Sequence, residues 1–234
     1  RKDVLCAFFY LLTLLAYFRY NRSGGLKRTT SYGICLILFA LALLSKPMAV
    51  TLPIVLLVLD FSLLHRRGDG VSKWVIIEKI PFFLLSIATS MMTIWANSAG
   101  GALRNLDTYP FVVRIFVSIR SYLFYLIKMF LPFNLAPLYP HPTKINQFAL
   151  EYLLPLFSLL LITFFCIYSL KKTKVFLAIW LYYIVSLAPV IGVVRSGDIA
   201  GADRYAYLPS LGLFILIGLG TESVLRMEKA LKNA

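Results

Sequence analysis

The stretch YLLPLFSLLLITFFCIYSL, residues 152–170, contains no charged side chain. It is long enough to cross the hydrocarbon core of a bilayer as one helix, which needs about 20 mostly apolar residues. The whole chain is also strongly apolar, since 60% of its 234 residues are hydrophobic and 15% are charged. A soluble domain is about half apolar and a quarter charged. The sequence therefore predicts an all-α integral membrane protein in contact with the lipid bilayer.

Other apolar runs extend this prediction along the chain. We expect about seven transmembrane helices, at residues 4–18, 31–46, 47–64, 75–96, 148–170, 175–191 and 208–225. The three cysteines, Cys6, Cys35 and Cys166, lie inside apolar segments and have no metal-ligand spacing. No motif indicates a cofactor, and dependence on a divalent metal is left open. The net charge of +14 is typical of cytoplasmic loops and headgroup contacts in a membrane chain, and no motif indicates nucleic-acid binding.

Basic residues are concentrated in four short segments, which hold thirteen of the 24 Lys and Arg residues. Because positively charged loops stay in the cytoplasm, all four are predicted there. The N-terminus, the turn at Lys46 and the loops 97–110 and 192–207 then lie on the outer face. The four segments are RYNRSGGLKR (19–28), HRRGDGVSK (65–73), KKTK (171–174) and RMEKALK (226–232).

The apolar segment 111–131 does not fit this alternation. Residues 97–147 must begin and end on the outer face, and the segment carries Arg114, Arg120 and Lys128, which are costly in a lipid-facing helix. We therefore expect an outer-face region at 97–147 with an interfacial or re-entrant helix. The alternative is a true span, which would place KKTK outside.

The predicted outer face has an excess of positive charge. Ten basic and five acidic residues fall there, a net charge of +5. The positive-inside rule disfavours such an excess unless the cations have a function. Arg and Lys bind phosphate oxygens through charge-assisted hydrogen bonds. The charge pattern therefore predicts an anionic ligand at this face, and a phosphate or pyrophosphate on a lipid carrier fits best.

Each motif also has a plain structural interpretation. Lys46 at the end of a span could reach the headgroups, and Asp3 at a helix start is favoured by the helix dipole. The Gly-rich SAGGALRNLD, residues 98–107, could be a flexible turn. GADRYAYLPS, residues 201–210, could be a loop before a helix that begins at proline.

Five sequence blocks run through nearly all of the chain: RKDVLCAFFYLLTLLAY (1–17), LALLSKPMAVTLPIVLLVLDF (41–61), EKIPFFLLSIATSMMTIWANSAGGALRNLD (78–107), YLFYLIKMFLPFNLAPLYPHP (122–142) and APVIGVVRSGDIAGADRYAYLPSLGLF (188–214). In this order they resemble the membrane part of the transmembrane and tetratricopeptide-repeat family, which belongs to the GT-C glycosyltransferase superfamily. The second block resembles the bacterial members of the family more than the animal ones.

The resemblance implies a GT-C-like fold and transfer of a sugar from a polyprenyl-phosphate donor to a protein or glycan hydroxyl. The active face would be periplasmic in a bacterial inner membrane, or lumenal in the endoplasmic reticulum of a eukaryote. In such proteins an outer loop after the first span carries the catalytic acidic residue. That loop would precede Arg1, and the repeat domain would follow Ala234. We therefore expect a single polytopic membrane domain, residues 1–234, from a longer protein, with the catalytic base unknown.

The outer-face charges and the resemblance together give one predicted site for the donor phosphate and sugar. Two other functions stay open: a non-catalytic membrane anchor for a repeat domain, and a lipid or solute transporter. The predicted donor-binding residues are Arg1, Asp3, Lys46, Arg104, Arg114, Arg120, Asp203, Arg204 and Tyr205.

Overall fold

The computed structural model of the chain describes residues 1–62, 73–100, 111–140, 149–191 and 199–232. Within these ranges the chain is almost wholly helical. The helices are α1 (Lys2–Arg22), α2 (Gly25–Ser45), α3 (Leu52–Ser62), α4 (Lys73–Ile77), α5 (Ile80–Ala99), α6 (Phe111–Phe130), α7 (Leu150–Tyr168), α8 (Val175–Leu187) and α9 (Ser210–Lys232). Short 3-10 segments lie at Pro47–Thr51, Ser169–Lys171, Ala188–Val190 and Asp203–Ala206.

Five helical stretches in the described part of the chain are long and apolar enough to cross a membrane. Two shorter apolar stretches, Pro47–Ser62 and Val175–Val190, accompany them. Large apolar side chains face outward on these helices: Leu161 is 69% exposed and Phe164 is 68% exposed. Such surface is typical of a lipid-facing helix. The structure therefore describes an all-α membrane protein. The presence of seven spans stays a prediction. The five stretches are Lys2–Arg22, Gly25–Ser45, Lys73–Ala99, Leu150–Lys171 and Ser210–Met227.

The first two helices form a tight hairpin. Their connection is only Ser23 and Gly24, so most of the basic segment 19–28 is helical rather than a loop. Lys and Arg are good helix formers, which explains the extension beyond the apolar residues. The backbone φ of Gly25 is 55°, a left-handed value that glycine adopts without the steric penalty of a Cβ atom.

The predicted span at 75–96 is interrupted near its start. Helix α4 ends at Ile77, and a turn at Glu78 and Lys79 leads into α5. Pro81 lies in the first turn of α5, where a missing N–H costs least. The break brings the side chain of Lys79 into the protein interior, where it is 0% exposed. At its other end α5 extends to Ala99, so the expected outer-face region at 97–147 begins with helix.

Two apolar clusters hold the helices together. The first joins α1, α2, α3 and α5 through residues such as Tyr10, Phe39, Leu56 and Phe82. The second joins α6, α7 and α8 through Tyr125, Cys166, Trp180 and Tyr183. Val190 packs against both clusters. The two halves of the fold therefore meet along α8, whose Tyr182 also packs against the first cluster, and at the 3-10 segment that follows it.

Helix α6 contacts the beginning of α7 and the end of α8. The Ser118 hydroxyl donates to the Ile191 carbonyl at 3.3 Å, and the Tyr122 hydroxyl donates to the Ile184 carbonyl at 3.1 Å. The Arg120 guanidinium lies 3.6 Å from the Glu151 carboxylate. With three basic residues, α6 is not among the candidate spans. Its interfacial or re-entrant placement stays a prediction.

A short antiparallel ladder adds to the helices and was not predicted from the sequence. Strand β1 (Tyr139–Pro140) pairs with β2 (Ile199–Gly201), with Tyr139 opposite Gly201. A Cβ atom at Gly201 would lie 2.5 Å from the Tyr125 hydroxyl. The absence of a side chain at Gly201 therefore lets the tyrosine approach β2, where its hydroxyl accepts from the Ala202 N–H at 2.9 Å.

Reporter fusions test the predicted topology. We expect reporters fused after residues 28, 70 and 172 to report the cytoplasmic side, and those after 105, 140 and 205 to report the outer side. The decisive position is 140, because it follows α6. A cytoplasmic signal at 140 would show that α6 spans the membrane and would overturn the interfacial prediction.

Candidate functional site

A small pocket lies where α1 begins and α2 ends. Its walls come from three stretches that are far apart in sequence but meet at one end of the helices. The cavity measures about 10 Å³, close to the smallest cavity that holds one water molecule. Its lining residues are Asp3, Cys6, Lys46, Met48, Arg204, Tyr207 and Leu208.

Local sequence explains how Asp3 and Lys46 reach the pocket. Asp3 lies in the first turn of α1, where a negative charge is favourable. Lys46 is extended, with φ −161° and ψ 132°, because the following Pro47 disfavours helical backbone at the residue before it. The Lys46 ammonium pairs with the Asp3 carboxylate, and their side chains are only 14% and 23% exposed.

Tyr205 links both pocket cations to the loop after β2. The Lys46 ammonium lies 4.9 Å from the centre of the Tyr205 ring. The Arg204 guanidinium lies 5.5 Å from the same centre. Cations at such distances are attracted to the ring face. The ring therefore holds two positive groups near one point, opposed by the single carboxylate of Asp3.

Asp203 contacts a different part of the protein from Arg204. Its carboxylate accepts from the Tyr139 hydroxyl at 3.0 Å and from the Ala136 N–H at 2.5 Å. Desolvation, and then the hydrogen bond to Asp203, raise the pKa of Tyr139, so the phenol stays protonated and remains a donor at neutral pH. Asp203 thus fixes the non-helical segment 131–140 beside the 3-10 turn that carries Arg204.

Four of the other predicted residues do not line the pocket. Arg1 precedes α1 and is exposed, and Arg114 is half-buried on α6. Arg120 contacts α7 through Glu151 and lies 5.8 Å from the centre of the Tyr152 ring. Arg104 lies outside the described residues. Of the eight predicted residues that lie in the described ranges, the structure brings Asp3, Lys46, Arg204 and Tyr205 together.

A second polar cluster lies near the opposite end of the helices. The Lys79 ammonium is 2.7 Å from the Asp60 carboxylate and donates to the Tyr17 hydroxyl at 2.5 Å. Tyr17 in turn donates to Asp60 at 2.6 Å. All three are buried, at 0% exposure for Tyr17 and Lys79 and 8% for Asp60. The cluster joins α1, α3 and the turn before α5.

This cluster was not predicted from the sequence, although a signal was present. Asp60 and Lys79 are opposite charges inside two consecutive apolar segments. Ionisable residues in membrane helices face the protein interior and pair with one another. Pairing these two charges would have predicted the contact between α3 and the start of α5. The side chain of Tyr17 gives no comparable signal, because tyrosine is common in membrane proteins.

The first pocket has the chemistry of an anion site, with two cations against one carboxylate. Its volume does not admit a phosphate while Lys46 is paired with Asp3. Within the ranges described above, no group of three or more His, Cys, Asp or Glu side chains has the arrangement of a metal site. No family model matches the chain, and neither a curated protein nor a solved structure matches it.

Proposed function

We propose that the chain is the membrane part of a GT-C-type glycosyltransferase of the transmembrane and tetratricopeptide-repeat family. The reaction transfers a sugar from a polyprenyl-phosphate donor to a protein or glycan hydroxyl at the outer face of the membrane. The role proposed for the described residues is to bind the donor phosphate. Lys46 and Arg204 supply the positive charge, and Asp3 and Tyr205 position them.

The observation that carries this proposal is the meeting of Lys46 and Arg204 on the Tyr205 ring. The two cations are far apart in sequence, and each is brought there by its own local structure. Like charges repel, so close placement of two cations is unfavourable unless an anion shares them. Asp3 supplies one negative charge, and the pocket keeps one net positive charge for a ligand.

In the proposed reaction, the bond between the anomeric carbon and the donor phosphate oxygen breaks, and its electron pair stays with the phosphate. A new bond forms between the anomeric carbon and the acceptor oxygen, and a carboxylate base accepts the hydroxyl proton. Negative charge therefore grows on the departing phosphate. Lys46 and Arg204 stabilise that charge more in the transition state than in the bound donor, which accelerates the step.

Donor binding requires a rearrangement of the pocket. The Lys46 ammonium must exchange its contact with the Asp3 carboxylate for one with a phosphate oxygen. Arg204 is exposed and pairs with no carboxylate of the described residues, so it can follow the ligand. Asp3 thus holds Lys46 in position at the pocket until a phosphate oxygen replaces the carboxylate.

Replacing Arg204 tests the proposed activity. In the full-length protein, we expect Arg204→Gln to lower sugar transfer from the polyprenyl-phosphate donor by at least tenfold, since a hydrogen bond to a charged group contributes about 1.5–3 kcal/mol. The matched control is Lys2→Gln, which removes an exposed cation near the start of α1. Transfer that is unchanged by Arg204→Gln would remove Arg204 from the site, whereas absence of transfer in the unmodified protein would favour the membrane-anchor alternative.

A further inference from the structure

A groove runs between α1 and α2 on the side that faces away from the other helices. Its volume is about 770 Å³, within the range of small-molecule sites. The walls are apolar and include Leu15, Ala16 and Ile34. Leu15 is 63% exposed and Ile34 is 47% exposed. This is a lipid-facing cleft with room for part of an amphiphilic molecule.

Two basic side chains lie at one end of the groove. Arg19 lies in the last turn of α1, and Lys27 lies in the first turn of α2. Both are exposed. No acidic side chain in the described residues pairs with either of them. The neighbouring Arg28 differs, because its guanidinium lies 2.8 Å from the Glu78 carboxylate.

Ser31 adds a polar group further along the wall. It lines the groove, is 5% exposed, and its hydroxyl makes no hydrogen bond to any of the described residues. It lies four residues after Lys27 on α2, about 6 Å deeper along the helix axis. The groove thus passes from charged to polar to apolar with depth, which is the order of a phospholipid from phosphate to ester to acyl chain.

We propose that this groove binds an anionic phospholipid from the adjacent membrane leaflet. Arg19 and Lys27 bind the phosphate and the anionic headgroup, the Ser31 hydroxyl donates to an ester oxygen, and an acyl chain lies along Leu15 and Ile34. Basic sites between membrane helices at the cytoplasmic side bind such headgroups. This inference does not depend on the proposed glycosyl transfer.

The positive charges of the groove favour an anionic lipid over another helix as its ligand. An apolar helix in the groove would leave Arg19 and Lys27 without a counter-charge in a region of low dielectric constant. A second copy of the chain, packed by two-fold symmetry, would place the same cations against each other, and like charges repel. An anionic lipid satisfies the cations and the apolar walls together.

The test is lipid binding by the purified chain, measured by native mass spectrometry and by titration in detergent. The probes are phosphatidylglycerol and phosphatidylcholine with identical acyl chains, with inorganic phosphate as a competitor. We expect phosphatidylglycerol to bind more tightly, and Arg19→Gln/Lys27→Gln to weaken it about 10- to 30-fold, because each basic residue near an anionic surface contributes about 1 kcal/mol. The matched control, Lys171→Gln/Lys172→Gln, removes the same charge outside the groove and should leave binding unchanged.

A second variant tests the groove itself. Ala16→Phe fills the apolar wall and should weaken phosphatidylglycerol binding while leaving both cations in place. Competition by millimolar inorganic phosphate alone, without any effect of Ala16→Phe, would indicate a free-anion site and overturn the lipid proposal. Equal binding of the two lipids would also overturn the lipid proposal. So would a disulfide between two Leu15→Cys chains, because it would place a second copy of the chain at the groove.

Discussion

Replacing Lys79 by methionine should destabilise the protein by about 3–5 kcal/mol, since removing one member of a buried ion pair leaves the other charge uncompensated. Lys79 is fully buried and contacts both Asp60 and Tyr17. After Lys79→Met, the Asp60 carboxylate keeps only the Tyr17 hydroxyl as its partner within this cluster. The measurement is the free energy of unfolding in mixed micelles, from a titration with denaturing detergent.

Arg226→Gln is the matched control for this result. Arg226 pairs with Glu222 at 2.6 Å, but the two side chains are 79% and 53% exposed. An exposed pair of this spacing contributes about 0.3–0.5 kcal/mol. A loss of the same small size for Lys79→Met would show that the buried cluster does not hold α1, α3 and α5 together.

The double variant Asp60→Leu/Lys79→Met separates charge from packing. Because it removes both charges, it should be more stable than Lys79→Met alone, as replacement of buried ion pairs by apolar residues is often neutral or stabilising. Adding Tyr17→Phe removes the last polar group of the cluster. If the double variant lost as much stability as the two single losses combined, the contribution of the cluster would be packing rather than ion pairing.

Replacing Lys46 by glutamine should weaken binding of polyprenyl phosphate about 10- to 100-fold, because the phosphate loses a charge-assisted hydrogen bond of about 1.5–3 kcal/mol. Glutamine keeps most of the side-chain length, so the effect reports the charge. Affinity is measured by titration of the purified chain with a short-chain polyprenyl phosphate, which needs no acceptor and no catalytic base.

Two further variants define the role of the pocket residues. Lys2→Gln removes a nearby exposed cation and should leave affinity unchanged. Tyr205→Leu removes the ring that both cations contact and should weaken binding less than Lys46→Gln, since a cation–π contact at an exposed site contributes about 0.5–1 kcal/mol. If Lys2→Gln and Lys46→Gln had equal effects, binding would reflect overall charge and not the pocket.

The helices could largely be predicted from the sequence, because apolar length and charge placement determine them directly. Each predicted span overlaps a described helix, but 75–96 is divided between α4 and α5, and 47–64 begins in a 3-10 segment and ends beyond the described residues. The ends of the helices could not be predicted so well. The continuation of α1 to Arg22 and of α9 to Lys232 depends on helix propensity beyond the apolar run, where hydropathy carries no information.

The charged residues of the pocket could be predicted from the sequence, but their arrangement could not. Local patterns identified Asp3, Lys46 and Arg204 as polar residues at helix ends, but their meeting depends on tertiary packing. Asp203 adjoins Arg204 in sequence, yet it bonds to Tyr139, which is 64 residues away. Arg120 lies on a helix that the charge pattern assigned to the same face, yet it pairs with α7. Sequence proximity and a common face do not determine which side chains meet.

Photocrosslinking shows whether the pocket of Asp3, Lys46 and Arg204 binds the phosphate of a lipid-linked sugar. A polyprenyl phosphate with a photoreactive group near the phosphate is irradiated with the purified chain in lipid nanodiscs, and the labelled peptides are identified by mass spectrometry. We expect saturable labelling of the peptides that contain Lys46 and Arg204, and we expect Lys46→Gln/Arg204→Gln or excess unlabelled polyprenyl phosphate to abolish it. Saturable labelling elsewhere that persists in the double variant would contradict it.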